Sequence, residues 1–128
     1  MKRHRTIVLG TLVLLIIASV ALLGACGGGK SNPMSSGATA DIVISITGVN
    51  GPNSYSPRLS TIKVGKTVAW RNNAGGIHTA TADHGEFDTG NIASGATSAP
   101  ITMGTQGVFP YHCTIHGFSM TDTLTVIP

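Results

Sequence analysis

From Asp41 to Pro128 the chain never sustains a 3.6-residue apolar period, and that absence removes most of the folds open to it. In place of helical stripes stand short runs rich in Val, Ile and Thr, separated by Gly, Pro, Asn and Ser. β-Branched side chains suit a pleated, half-buried surface, and Gly and Pro punctuate it. The pattern predicts strands near Ile42–Thr47, Leu59–Val64, Thr67–Asn72, His78–Ala82, Ser98–Met103, Val108–His112 and Asp122–Ile127. Gly65-Lys66 reads as a two-residue hairpin turn between the second and third of these. Asp83 to Ala96 is polar and glycine-containing, and reads either as a long loop or as a segment carrying a short helical turn. So many short strands in one stretch imply an all-β fold, a β-sandwich of two sheets forming a single domain over 41–128.

Strand alternation assigns directions, because successive side chains face opposite sides. Val68 and Trp70 share one face of their strand, and Phe109, Tyr111 and Cys113 share one face of theirs. With Phe109 and Tyr111 in the core, Cys113 also points inward at the end of the sandwich, and His112 points away.

The stretch Val108 to Met120 reads V-F-P-Y-H-C-T-I-H-G-F-S-M and concentrates a thiol, two imidazoles and a thioether. Cys113 and His116, three positions apart across a tight turn, can reach one metal, and Met120 follows four residues later. A Cys-His-His site with a weak axial Met is the blue-copper arrangement, so a second histidine from elsewhere is required. The candidate is His78. Each residue has a plainer reading when taken alone: His78 as a surface histidine at a strand start, Cys113 as an inert buried thiol, Met120 as core. The C-x-x-H-x-x-x-M spacing favours ligation for all of them. His112 reads as structural or surface, His84 as part of a solvated polar loop with Asp83, Glu86 and Asp88, and Met103 as core or rim.

These residues match a known pattern. The run S-P-R-L-S-T-I-K-V-G-K-T-V-A-W-R-N-N before His78, E-F-D-T-G after it, and Y-H-C-T-I-H-G-F-S-M at the end resemble the cupredoxins, and within them the plastocyanin, amicyanin and halocyanin type. The resemblance covers most of Ser56–Ile127 and implies a Greek-key β-sandwich holding one type 1 copper ion. It implies His78, Cys113 and His116 as equatorial ligands and Met120 as the axial one. Three residues separate His116 from Met120, between the two of amicyanin-like loops and the four of plastocyanin-like ones. Thr79 stands where many members carry an Asn that bridges to the cysteine loop; its hydroxyl and Thr114 are the expected supports of that loop. Ile115 stands where Pro is frequent.

The N-terminus has a different character. Lys2, Arg3 and Arg5 precede an apolar run from Ile7 to Leu23, the layout of an export signal. Leu23-Gly24-Ala25-Cys26 resembles the lipobox of bacterial lipoproteins, which implies a signal peptide over 1–25 and a lipidated Cys26; an uncleaved anchor is the alternative. Gly, Ser, Asn, Pro and Ala dominate from Gly27 to Ala40, so 26–40 reads as lipidated cysteine and flexible tether. The expected location is outside the cytoplasmic membrane, lipid-anchored and facing the periplasm or cell exterior. With residues 1–25 removed, Lys30, Arg58, Lys63, Lys66 and Arg71 balance Asp41, Asp83, Glu86, Asp88 and Asp122, giving 5 − 5 = 0 against +3 for the full chain. The basic footprint that nucleic acid requires is absent. A lipidated Cys26 leaves Cys113 no disulfide partner, and a metal is the natural occupant of such a thiol.

Together these readings predict a monomeric electron carrier, cycling Cu(II)/Cu(I) between redox proteins that dock near His116 on a rim of Gly75, Gly76, Ile77, Gly117 and Phe118. The alternative is a copper-binding protein for delivery or storage. An enzyme is not expected: a dinuclear copper centre needs two cysteines in one loop, and multicopper oxidases need a His-Cys-His run with further histidine pairs.

Overall fold

A computed structural model of the chain describes residues 39–128. The expectations for 1–25, Cys26 and the tether as far as residue 38 lie outside the described residues. Eight strands form two sheets, and none of the described residues is helical. The first sheet has the order β2-β1-β4-β6, with β1 at Ile42–Ile46, β2 at Tyr55–Ser56, β4 at Thr67–Asn72 and β6 at Ile101–Thr102. The second has the order β3-β8-β7-β5, with β3 at Thr61–Lys63, β8 at Gly117–Ile127, β7 at Gly107–Cys113 and β5 at Thr81–Ala82.

The sandwich is as the strand pattern predicts, with one correction to its connectivity. Gly65-Lys66 is a turn, closed by Lys66 N donating to Lys63 O at 3.1 Å, but it joins no hairpin. It carries the chain from the second sheet to the first. Strand β4 has β1 and β6 as neighbours, and β3 pairs with β8. The pairs β1–β4 and β3–β8 are parallel, with Ile44 opposite Trp70 and Ile62 opposite Val126. Because β3 and β4 belong to different sheets, the short turn between them carries the chain from one layer to the other. Crossing also lets Ile62 and Val68 meet one core from opposite sides, and both are buried.

Other elements also differ from expectation: Leu59–Val64 shortens to β3 and Ser98–Met103 to the two residues of β6. Strand β2 has only two residues and leaves no period to read. The segment His78–Ala82 narrows to β5, with His78 in an isolated bridge to Ile92. Strand β8 begins at Gly117, because Cys113 pairs back onto Gly117 across a bulge between His112 and Cys113. The Asp83–Ala96 segment resolves as loop. It folds back on the preceding strand through Ala82 N to Phe87 O at 2.9 Å and Thr89 N to Ala80 O at 3.1 Å, and seats Phe87 and Ile92 in the core.

Alternation builds that core. Ile44, Ile46, Val68 and Trp70 from one sheet meet Phe109, Tyr111, Leu124 and Val126 from the other. Trp70 stacks on Phe87 at 5.2 Å and meets Tyr111 edge-on at 5.7 Å, and Tyr55 meets Tyr111 edge-on at 4.8 Å. Burying each large side chain contributes roughly 1.5–3 kcal/mol, and edge-to-face aromatic pairs add to that. Met103 is core as well.

The two ends of the sandwich are distinct. Thr67 starts β4 beside Lys66, whose carbonyl accepts from Met103 N while Met103 O accepts from Gly65 N; Val64 N donates to Ile127 O, and Gly107 pairs with Val126. The start of β7 therefore lies at the same end as Thr67, and Cys113 at the other. Asp41 closes the first end: its carboxylate accepts from Thr67 N and Thr67 Oγ1, both at 2.8 Å, and from Lys66 Nζ at 3.1 Å.

Candidate metal centre

Three elements deliver the donor atoms to the second end. Cys113 ends β7, inward and fully buried, as alternation requires of the strand that buries Phe109 and Tyr111. His116 follows through a tight turn in which His116 N donates to Cys113 O at 3.2 Å, and Gly117 closes that turn at φ 56°, a conformation open to glycine. His78 arrives on the loop after β4.

That loop is fixed by Asn72, a residue the sequence reading did not single out. Its Nδ2 donates to Gly76 O at 3.0 Å and Ile92 O at 2.9 Å, and its Oδ1 accepts from Ala74 N at 3.0 Å. A signal existed: Asn72 has the parity of Val68 and Trp70, so it must point inward, and a buried amide at a strand end needs partners. Gly76, at φ 81°, turns the loop toward His78.

His78 is 2% exposed, and its Nε2 lies 3.1 Å from Gly75 O. A carbonyl only accepts, so Nε2 carries the proton and Nδ1 keeps its lone pair. That lone pair is on the nitrogen facing sulfur: Cys113 Sγ lies 3.9 Å from His78 Nδ1 and 3.4 Å from His116 Nδ1. All three donor atoms fall within 4.8 Å of one another, and the two imidazole centroids are 4.9 Å apart. Metal bonds of ~2.0–2.1 Å to imidazole and ~2.3 Å to thiolate, as zinc makes, put such atoms ~3.5–4 Å apart. The spacing fits a single ion. A thiolate with two imidazoles and a nearby thioether is the set that suits copper.

The electrostatics favour a metal over protons. Burial pushes the His78 imidazole below its ordinary range; the adjacent His116 pushes the same way, and the Gly75 carbonyl opposes. A neutral imidazole is what a metal needs. Burial also raises the Tyr55 phenol, helped by Cys113 and Asp122, so it stays a neutral donor. It donates to Thr79 O at 2.7 Å, and Thr79 N donates to Cys113 Sγ at 3.4 Å. Thr79 Oγ1 accepts from Thr114 N at 2.9 Å and lies 3.2 Å from Thr114 Oγ1, so the two threonines bridge the His78 and Cys113 segments. Tyr55 is a second support that sequence reading missed, hidden in a two-residue strand.

The other candidates separate cleanly. Met120 is fully buried on β8, and its backbone bridges to Gly51. His112 turns away from the cluster, with Nδ1 2.7 Å from Asp83 Oδ1 and its ring 5.3 Å from Phe118. His84 is exposed, 4.0 Å from Glu86. Around His116, which is half-buried, Gly75, Gly76, Ile77 and Phe118 are exposed and Gly117 partly so; Ile115, 51% exposed, joins them.

No model of a protein family matches the sequence. A plastocyanin from Scenedesmus fuscus is 32% identical over 97 residues, covering 67% of this chain and 99% of the plastocyanin. Among solved structures, the reduced Cu(I) form of an amicyanin variant superposes with a TM-score of 0.57 at 26% identity, over 70% of this chain and 85% of that one. A copper-containing nitrite reductase from Thermus scotoductus SA-01 superposes with a TM-score of 0.59 at 23% identity, and this chain spans 22% of it, a likeness of fold alone. With nearly a whole plastocyanin matched and the thiolate and two imidazoles gathered at one end of the sandwich, the chain belongs to the cupredoxins, and its cofactor is copper.

Proposed function

We propose that the protein is a one-electron carrier held at a membrane surface, and that it transfers electrons between proteins without catalysing a reaction of its own. The observation that carries this reading is the asymmetry of the two histidines: His78 is sealed in the core, whereas His116 is half-buried among exposed apolar residues. Copper, when bound, supplies the Cu(II)/Cu(I) couple.

The chain's own residues do the rest. His78, Cys113 and His116 are the proposed equatorial ligands, with Met120 as the weak fourth donor. The bonds from Gly75 O, Thr79 N and Asn72 hold donors and loop in place without help from a metal, so little rearrangement accompanies a change of charge. The ring edge of His116 is the proposed exit for the electron. Gly75, Gly76, Ile77, Gly117 and Phe118 form the rim on which a partner docks, a small apolar patch of the kind that brief redox encounters use. A lipid on Cys26 and the tether to Ala40 keep the monomeric domain at the outer membrane face, toward the periplasm or cell exterior.

The test is a visible spectrum and a voltammogram of the copper-loaded domain, residues 27–128. An intense blue band with a reversible one-electron wave is expected. Tight Cu(I) binding with no blue oxidised form would replace the carrier by a protein of copper delivery or storage.

A further inference from the structure

The hydrogen bonds behind Cys113 continue past Thr79 toward the surface. Thr79 Oγ1 lies 3.1 Å from Thr81 Oγ1, and Thr81 Oγ1 donates to Asp88 Oδ1 at 2.9 Å. Asp88 Oδ1 also accepts from Gly90 N at 2.9 Å, and a backbone bridge joins Thr81 to Asp88, so the carboxylate is held where it is needed. We propose that Asp88 and Thr81 are positioning residues for the Cys113 thiolate, fixing the direction of a hydroxyl chain that braces the cysteine loop. This rests on the copper-carrier reading for its consequence, though not for its geometry.

A hydroxyl has one proton, and an ionised carboxylate can only accept. Asp88 therefore takes the Thr81 proton, which leaves the Thr81 oxygen to accept from Thr79. Thr79, its proton committed outward, must accept from Thr114, and its oxygen already accepts from Thr114 N. With each of these contacts made as a hydrogen bond, the polarity runs Thr114 to Thr79 to Thr81 to Asp88. Bonds aligned in this way polarise one another. Remove the carboxylate and Thr81 and Thr79 regain two orientations each, so the acceptor facing Thr114 N–H is no longer held. The residue so loosened follows Cys113 directly, and Thr79 itself donates its N–H to Sγ.

The experiment compares Asp88→Ala, Asp88→Asn, Thr81→Val and the Asp88→Ala/Thr81→Val pair. In the metal-free protein, amide hydrogen exchange at Thr114 should quicken about threefold to tenfold in Asp88→Ala, as expected for one weakened hydrogen bond. Thr81→Val, which keeps the shape and deletes the hydroxyl, should do the same. The double variant should add nothing to Thr81→Val, because the chain is already cut. Asp88→Asn retains an acceptor oxygen and should return exchange close to the parent rate. In the copper-loaded protein, Asp88→Ala and Thr81→Val should move the reduction potential in one direction and non-additively. Unchanged Thr114 exchange in Asp88→Ala, or additive effects in the double variant, would overturn the proposal. A colourless protein with the expected exchange pattern would sink the carrier reading and leave the hydroxyl chain standing.

Discussion

The two ends of the sandwich hold their polar groups in opposite ways. At the Asp41 end a carboxylate, an ammonium and a hydroxyl meet in the open, with Lys66 and Asp41 side chains 56% and 39% exposed. At the Cys113 end, Asn72, His78, Thr79 and Cys113 are all within 2% of full burial, joined by neutral hydrogen bonds. Water competes with the first arrangement and is kept from the second. Exposed ion pairs hold a corner together weakly and tolerate change. Buried neutral networks are costly to break, because each orphaned group loses its solvation as well as its partner. A site whose donors must stay put belongs at the second kind of end.

The contrast can be broken most completely at Cys113. Cys113→Ser should remove the blue absorption altogether while the metal-free domain still folds; surviving colour would mean the donor set lies elsewhere. Next comes Asn72→Ala, which strips partners from Gly76 O, Ile92 O and Ala74 N at once. Urea unfolding of the metal-free protein should show a loss of about 2–4 kcal/mol. A loss below about 1 kcal/mol would put the two ends on a par. Met120→Leu should be milder, keeping copper and fold but shifting the potential; an unchanged spectrum and potential would remove Met120 from the donors.

The smallest effects are in pH, where the ends should titrate in separate windows. Burial depresses His78 in the folded state, so the unfolded chain binds more protons below the ordinary imidazole value of ~6.5. Stability of the metal-free protein is therefore whole above that pH and declines as pH falls through the depressed folded value. Asp41, held down to about 2 mainly by Thr67 N, keeps its contribution above 3.8 and loses it as pH falls toward 2. Asp41→Asn should flatten only the lower window in a series of urea melts, and a change in the upper one would couple the two ends.

Much of this was legible in order along the chain, and less of it across the fold. Alternation placed Phe109, Tyr111 and Cys113 inward and His112 outward, because parity on a strand depends on nothing beyond the strand. Spacing alone brought Cys113 and His116 together, whereas His78 was identified by resemblance and by the need for a second imidazole. Pairing was harder. The Gly65-Lys66 turn looks the same in sequence whether it folds β3 onto β4 or sends β4 to the other layer, since both strands bury one face either way. The path of Asp83 to Ala96 depends on Phe87 finding Trp70, a contact between distant segments that no local pattern encodes. Asn72 could be read from parity, but its partners at Gly76 and Ile92 belong to a loop that only the folded chain defines.

The parallel pairing of β1 with β4 also bears on how the domain carries load. A pull applied to the chain at Asp41 meets the whole register from Ile42 opposite Val68 to Ile46 opposite Asn72 sideways, as a shear across every rung together. Shear asks all the rungs to fail at once, where peeling would ask them one by one. The register begins beside Thr67 and ends at Asn72, whose amide holds the loop of His78, so the rungs that resist such a pull are continuous with the frame around the donor atoms.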